Sequence, residues 1–193
     1  MSVQRVFTFG SSAGDLAEYI ADLASELVVG NAIEVETQCG PLIRKSEVDR
    51  VDEWVTEAVK AGAEVLIGGK RLSDSCYTPT VLLNPPESCR VSTQEIFGPV
   101  IAVYEKQTLD DAIEQANSLP FAFQASVFSN DYAEIMGAVN RLDGSAVMVN
   151  EHSAFRVDWM PFAGRRCSGL GVGGIAHTIE EMSQAKMAVP SMS

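Results

Sequence analysis

The sequence contains no apolar run near the roughly 20 residues that a membrane-spanning helix needs. Its N-terminus also lacks the succession of basic, apolar and small residues that marks a signal peptide. These absences predict a cytoplasmic protein. Cationic residues are scarce too, since 14 Lys and Arg stand against 26 Asp and Glu and give a formal net charge of -12. Without a cationic surplus to displace the counterions of a phosphate backbone, no nucleic-acid partner is expected.

Residues that ligate metals or form disulfides are few and widely spaced. The four cysteines are Cys39, Cys76, Cys89 and Cys167, and the chain has two histidines. The irregular spacing, with no Cys-x-x-Cys pair, predicts free thiols and neither a metal site nor a disulfide framework. Cys167 follows Arg165 and Arg166, whose charge favours a thiolate. No general base accompanies it in sequence, so an inert thiol is the preferred interpretation.

The remaining composition, 46% hydrophobic and 21% charged over 193 residues, is that of an ordinary globular protein. Apolar residues alternate between strand-like and helix-like spacing along the chain. The predicted strands are 2–9, 64–67, 79–83, 100–104, 124–128 and 146–149; the predicted helices are 12–30, 46–62, 108–117, 131–142 and one beginning near 178. This alternation predicts an α/β fold with a mainly parallel sheet and helices on both faces. With no repeat or linker, residues 1–193 are expected to form one domain.

The segment EIFGPV, residues 95–100, places a carboxylate and an aromatic ring two positions apart before a predicted strand. In extended backbone, Glu95 and Phe97 point to the same side. The carboxylate could accept hydrogen bonds from sugar hydroxyls while the ring packs against a flat heterocycle. By itself, the pattern is equally typical of a solvated glutamate before a Gly-Pro turn, which is the simpler interpretation.

Two loop segments follow the last predicted strand. The first contains His152, Phe155, Arg156 and Asp158 and lies where α/β sheets place ligand-binding groups. A His152–Asp158 pair would suit general-base chemistry, but no activated nucleophile is evident nearby, so a hydrogen-bonded loop is preferred. The second, PFAGRRCSGLGVGG at 161–174, could cradle an anion or form a structural loop. It is not a dinucleotide fingerprint because no strand ends directly before it.

Together these segments resemble the aldehyde dehydrogenase superfamily over nearly the whole chain. SVQRVF at 2–7 resembles the stretch that follows the family's nucleophilic cysteine, and CGPLI at 39–43 resembles a second family segment. EIFGPV is similar to a family signature, and PFAGRRCSGLG at 161–171 is similar to the family's PFGGxKxSGxG loop. FRVDWM at 155–160 resembles a subset of these enzymes.

The resemblance implies that Glu95 binds the ribose hydroxyls beside nicotinamide and that Phe97 packs near the nicotinamide ring. It also implies that Phe162, with His152, Phe155 and Arg156, lines the aldehyde entrance. The family reaction is thiolate attack on an aldehyde, hydride transfer to NAD or NADP, and hydrolysis to a carboxylic acid. Arg156 could bind a carboxylate- or phosphate-bearing aldehyde or form a structural salt bridge, and the sequence leaves both open.

The resemblance places the nucleophilic cysteine two residues before Ser2, and the activating glutamate and cofactor-binding domain further upstream. We therefore assign no catalytic residue and expect a partial catalytic domain, truncated at its N-terminal edge, that alone is inactive and binds no cofactor. The alternative is a non-catalytic assembly or binding module derived from the family. In either case a homo-oligomer is expected, with residues 175–193 as its oligomerisation tail.

Two alanines occupy positions where the family has glycine. Ala163 lies in the PFAG segment and Ala122 lies in FAF at 121–123. If these positions require positive φ, each alanine adds backbone strain of about 1 kcal/mol.

Overall fold

The structure, a computed structural model, describes residues 3–9 and 13–191. The chain divides into two compact units, an N-terminal unit of residues 2–116 and a C-terminal unit of residues 117–193. The predicted α/β class with a mainly parallel sheet is confirmed, and the N-terminal unit carries helices on both faces of its sheet. That residues 1–193 form a single domain stays a prediction.

The N-terminal unit contains a mixed sheet of four strands. Its elements are β1 (Arg5–Phe9), α1 (Ala13–Ser25), α2 (Lys45–Lys60), β2 (Glu64–Ile67), β3 (Thr80–Leu83), α3 (Arg90–Thr93), β4 (Val100–Lys106) and α4 (Leu109–Asn117). The strand order is β1-β4-β3-β2. β4 runs parallel to both of its neighbours, whereas β2 pairs antiparallel with β3.

Strand β3 is buried on both faces, so its side chains alternate between two apolar clusters. Val81 packs in the cluster under α1, and Leu82 packs in the cluster under α2 and α3. Both side chains are fully buried. The sheet therefore forms the wall between two cores, one on each side.

Helix α1 buries a different face from the leucine stripe in the sequence. The stripe of Leu16, Ile20, Leu23 and Leu27 predicts the helix, but Leu16, Leu23 and Leu27 are 40%, 49% and 41% exposed. Ala17 and Ala21 are buried instead and pack with the partly buried Ile20 against the sheet. Small side chains allow the closest approach of helix to sheet, and this packing decides the face.

The first helix also ends earlier than predicted. It stops at Ser25 rather than Gly30, because the backbone then turns so that Val29 forms a bridge with Cys39. The Gly30 N–H donates to the Cys39 carbonyl at 3.1 Å. Residues 10–12, where turn residues follow the first predicted strand and the first predicted helix begins, lie outside the described residues.

Helix α2 follows its predicted pattern closely. The spacing of Val48, Val51, Val55 and Val59 predicts one buried face. The first three are buried, whereas Val59 is exposed and Ala58 takes the buried position. Gly62 follows the helix end with φ +110, as predicted for a C-terminal glycine.

The C-terminal unit contains two small sheets and two helices. Its elements are β5 (Phe121–Ala122), β6 (Gln124–Val127), α5 (Tyr132–Arg141), β7 (Ala146–Val149), β8 (Arg165–Arg166) and α6 (Ile175–Glu181). β6 and β7 pair in parallel with α5 as the crossover helix, and β5 pairs antiparallel with β8. Asp131 caps α5 by accepting hydrogen bonds from the Ala133 and Glu134 N–H groups at 2.7 and 3.1 Å.

The last helix, predicted to begin near residue 178, begins earlier. Helix α6 begins three residues earlier, at Ile175, and its N-cap is Gly174 without a side-chain hydrogen bond. Gly174 has φ +112, a conformation that glycine adopts at little cost. Within the described residues, no helix is long and apolar enough to cross a membrane.

Tyr77 provides a test of the core on the α2 side of the sheet. Burial raises the pKa of its phenol above the ordinary value of 10.0, and the charge of Asp52 acts in the same direction. Because the folded-state pKa is the higher one, the stabilising contribution of the neutral phenol is complete below pH 10.0 and is lost as the pH rises. We expect Tyr77→Phe to move the midpoint of alkaline unfolding, followed by circular dichroism, to higher pH.

Tyr19→Phe is the control, since the Tyr19 ring is exposed. A midpoint that responds equally to both substitutions would contradict this account of Tyr77.

Candidate functional site

In the segment between α3 and β4, the two predicted cofactor residues are exposed. Ile96 is 1% exposed and belongs to the core under α2 and α3. Its neighbours Glu95 and Phe97 are exposed, Phe97 by 75%. Burial of the middle residue therefore leaves a carboxylate and an aromatic ring open to a ligand.

Side chains from two distant elements hold the backbone of this segment. The Ile96 N–H donates to Oε1 of Gln4 at 2.8 Å, and Nη2 of Arg50 donates to the Ile96 carbonyl at 2.6 Å. Nε2 of Gln4 also donates to the Gln94 carbonyl at 2.6 Å. The Arg50 guanidinium lies 4.4 Å above the Trp54 ring, which orients it. Both polar groups of the buried Ile96 are thus satisfied.

The backbone of the segment is strained where the aromatic residue stands. Phe97 has φ +47, a left-handed conformation that is uncommon for a bulky residue. Gly98 follows it so close to α2 that an added Cβ would lie 2.8 Å from Cγ2 of Val51. The Pro99 carbonyl then accepts a hydrogen bond from Thr80 N–H at 2.8 Å. A strained backbone that presents an exposed aromatic side chain is typical of a functional site.

The sequence patterns missed Gln4 and Arg50, which fix this geometry. They stand 92 and 46 residues from Ile96 in the chain. No local spacing connects them to the segment, so only the fold reveals their contacts.

In the C-terminal unit, two of the four predicted substrate residues contact each other. The Arg156 guanidinium lies 4.3 Å above the ring of Phe162. Phe162 in turn packs edge-on against Phe123, with ring centroids 5.0 Å apart. Reciprocal backbone hydrogen bonds of 3.0 and 2.7 Å join Phe162 to Gly173. The aromatic platform under Arg156 is therefore held by both its ring and its backbone.

His152 and Phe155 form a local loop beside this pair. Nδ1 of His152 accepts a hydrogen bond from Ala154 N–H at 2.8 Å, and its carbonyl accepts one from Phe155 N–H at 2.9 Å. Among the hydrogen bonds and ion pairs of the described residues, none joins His152 to Asp158. The geometry favours the hydrogen-bonded loop over a general-base pair.

Arg156 forms no ion pair within the described part of the chain, so the structural salt bridge considered from sequence is not present there. Its side chain lines an open groove of about 630 Å³ together with Asp158 and apolar side chains of α6 and of the residue that follows it. Ile175, Ile179 and Met182 supply that apolar wall. The guanidinium is thus oriented by stacking, and no described residue accepts a hydrogen bond from it.

The glycine-rich segment is held as a structural loop. Asp143 pairs with Nη1 of Arg165 at 2.6 Å and with Nε of Arg166 at 2.5 Å. Arg166 also donates to the carbonyls of Asn117 and Leu119 at 2.7 and 2.5 Å. Both cations beside Cys167 are therefore engaged with other groups, which favours the inert-thiol interpretation.

The predicted strain at the two alanines is absent. Neither Ala122 nor Ala163 is among the described residues with positive φ. The critical small residue is Gly164, because an added Cβ would overlap the backbone of Ser168 far inside van der Waals contact. Close approach of two backbones, and not a left-handed conformation, requires glycine at position 164.

We expect Gly164→Ala to destabilise the protein by about 1–3 kcal/mol, the usual cost of overpacking. Thermal unfolding measures this loss. The matched control is Ala163→Gly, which relieves no overlap and should cost less than about 1 kcal/mol through added flexibility of the unfolded chain. Equal losses in the two variants would contradict the assignment of the close contact to Gly164.

The sequence and fold of this chain are similar to those of known proteins. The aldehyde dehydrogenase family model matches residues 1–188. A 3-sulfolactaldehyde dehydrogenase from Priestia aryabhattai is 37% identical over 189 residues, which cover 98% of this chain and 39% of that protein. The chain therefore spans about 39% of the length of such curated relatives.

Solved structures agree with this match. Aldehyde dehydrogenase 21 from Physcomitrella patens, in complex with the reaction product succinate, has a TM-score of 0.88 at 28% identity, covering 93% of this chain and 37% of that chain. The glyceraldehyde-3-phosphate dehydrogenase GapN from Methanocaldococcus jannaschii, complexed with NADP, also has a TM-score of 0.88, at 32% identity over 93% of this chain and 39% of its own. With its family segments, its α/β fold and this match over nearly all of its residues, the chain belongs to the aldehyde dehydrogenase family.

Proposed function

We propose that this chain is the part of an NAD(P)-dependent aldehyde dehydrogenase that provides the nicotinamide contacts and the aldehyde entrance. The observation that carries the proposal is the clamped segment of Glu95 and Phe97, in which buried Ile96 leaves both neighbours exposed. The strained backbone at Phe97 supports it, since strain persists where the surrounding structure maintains it for a purpose.

The residues in this segment have the chemistry that the nicotinamide end of NAD(P) requires. The Glu95 carboxylate accepts hydrogen bonds from the two ribose hydroxyls, and the Phe97 ring packs against the flat heterocycle. When bound, the cofactor supplies the hydride acceptor for aldehyde oxidation. The role of the chain's own residues is to hold the ribose and ring in one orientation, which lowers the entropic part of the barrier.

Arg156 supports an anionic aldehyde as the substrate class. Its guanidinium is oriented by Phe162 and has no ion-pair partner among the described residues. A planar guanidinium with free N–H donors binds a carboxylate, sulfonate or phosphate in a bidentate manner. The Priestia relative is named for 3-sulfolactaldehyde, which carries such a group.

The 193 residues alone are proposed to bind no cofactor and to oxidise no aldehyde, because they span only about 39% of the length of the Priestia relative. The natural protein that carries this sequence is proposed to be a cytoplasmic homo-oligomer. Exposed apolar residues of the segment 175–191, among them Ile179, Met187 and Val189, support a role for the tail in assembly. The same exposure would suit a non-catalytic assembly module, which is the competing function.

One comparison separates these two functions. The natural protein should have an intact mass more than twice the 20.7 kDa of this chain, a multimeric mass by light scattering, and aldehyde-dependent production of NAD(P)H. The 193-residue chain should show no turnover. A natural protein of 20.7 kDa without turnover would instead make the assembly module the better account.

Glu95→Gln tests the cofactor contact in the natural protein. The amide retains the shape but loses the charge that strengthens the ribose hydrogen bonds, so cofactor affinity should fall on the order of tenfold. Fluorescence titration with NADH and NADPH measures this change. Glu64→Gln is the matched control, since Glu64 is an exposed glutamate on β2. Affinities that are equal in the two variants would exclude Glu95 as a cofactor ligand.

Arg156→Gln tests the substrate class. For succinate semialdehyde, kcat/KM should fall at least on the order of tenfold, whereas for butanal, which has the same number of carbons and no charge, it should change little. Arg156→Lys should recover only part of the loss because lysine keeps the charge without the fork. An equal effect on both aldehydes would show that Arg156 supports the loop and does not select the substrate.

A further inference from the structure

We propose that Gln4 is a positioning residue that sets the geometry of the cofactor contact Glu95. The inference rests on the proposed function for the identity of the ligand. It goes beyond that function by assigning the placement of this contact to a side chain outside the proposed Glu95 and Phe97 pair. The side-chain amide of Gln4 reaches the backbone on the N-terminal side of Phe97 in three places.

Gln4 is anchored in the sheet and is therefore a rigid support. Its carbonyl accepts a hydrogen bond from Ala102 N–H at 2.9 Å, and the next residue, Arg5, pairs with Ala102 in the parallel β1–β4 ladder. Its side chain then extends from this fixed backbone to a segment about 90 residues later in the chain. A side chain on a strand holds a site more accurately than a side chain on a mobile loop.

The three contacts use both the donor and the acceptor of the carboxamide. Nε2 donates to the Gln94 carbonyl at 2.6 Å and to the Val91 carbonyl at 3.3 Å, and Oε1 accepts from Ile96 N–H at 2.8 Å. This pattern also fixes which end of the amide is oxygen. A glutamate would place a carboxylate against two carbonyl oxygens, and an asparagine is one methylene too short to reach from the same backbone.

Gln4 and Arg50 form hydrogen bonds to the two backbone polar groups of one residue, Ile96. Arg50 holds the Ile96 carbonyl while Gln4 holds the Ile96 N–H, and the Ile96 side chain is buried in the core. Losing Gln4 alone leaves the carbonyl contact and the core packing in place. The segment should therefore loosen at its N-terminal side, where Glu95 lies, without loss of the fold.

The structural part of the inference is tested by hydrogen exchange on the natural protein. In Gln4→Met, which keeps the length and loses the polar groups, exchange in peptides spanning 94–97 should accelerate on the order of tenfold, because one buried amide loses its acceptor. Peptides from β3 and α2 should be unchanged. Gln38→Met is the matched control, since Oε1 of Gln38 also accepts a backbone N–H, from Val28 at 3.1 Å, at an exposed position in a different loop.

The functional part is tested by a double-mutant cycle on cofactor affinity. Gln4→Met should weaken NAD(P)H binding severalfold in the native background and have little further effect once Glu95 is already Gln, because Gln4 acts through that residue. Unchanged hydrogen exchange in peptides spanning 94–97 would overturn the inference, whatever effect Glu95→Gln has on cofactor affinity. If exchange accelerates but the effects of Gln4→Met and Glu95→Gln on cofactor affinity are additive, the inference that Gln4 acts through Glu95 is overturned. Faster exchange while Glu95→Gln alone leaves affinity unchanged would refute the proposed function itself.

Discussion

Two-sided burial of the central strands is the constraint on which the N-terminal unit depends. Val81 and Leu82 of β3 enter different cores, and Val103 and Ala102 of β4 are also buried. Each fully buried aliphatic side chain contributes about 1.5–3 kcal/mol relative to exposure. Because both faces must be covered, α1 is required on one side and α2 with α3 on the other. Every connection in the unit, including the candidate cofactor segment, follows from that arrangement.

The candidate cofactor segment is exposed because part of it belongs to the core. Ile96 packs in the same cluster as Leu82 and Val51. One residue of the segment is therefore buried in the core between two exposed neighbours, Glu95 and Phe97. The left-handed backbone at Phe97 costs about 1–3 kcal/mol. The charged hydrogen bond from Arg50 contributes about 1.5–3 kcal/mol, and the neutral ones from Gln4 about 1 kcal/mol each. These contacts offset the strain, so an otherwise unfavourable conformation persists before any ligand binds.

Local patterns in the sequence were sufficient for most elements because periodicity and turn chemistry act over a few residues. Strands β2 and β7 have the predicted bounds, and α2 and α5 differ from theirs by one or two residues at each end. The exposure of Glu95 and Phe97 accompanies burial of Ile96 between them, but the extended backbone from which it was predicted is wrong at Phe97, where φ is +47.

The predictions that were wrong concern choices made by tertiary packing. Hydrophobicity favours a leucine face on α1, but contact with a flat sheet favours the smaller alanines at 17 and 21. The start of α6 depends on the backbone conformation of Gly174, not on a capping side chain. The clamp on Ile96 joins residues up to 92 positions apart, a pairing for which a single sequence contains no local signal.

The arginines of the C-terminal loop differ in whether they pair with an acidic side chain. Arg165 and Arg166 both form ion pairs with Asp143, and Arg166 also donates hydrogen bonds to two backbone carbonyls. Their N–H donors therefore stabilise the loop. Arg156 lies on an aromatic ring, which orients a guanidinium but accepts none of its in-plane hydrogen bonds. Among the described residues of this loop, Arg156 is therefore the cation left with free donors. In a chain whose net charge is -12, an anionic ligand is attracted to such a position and repelled by most of the remaining surface.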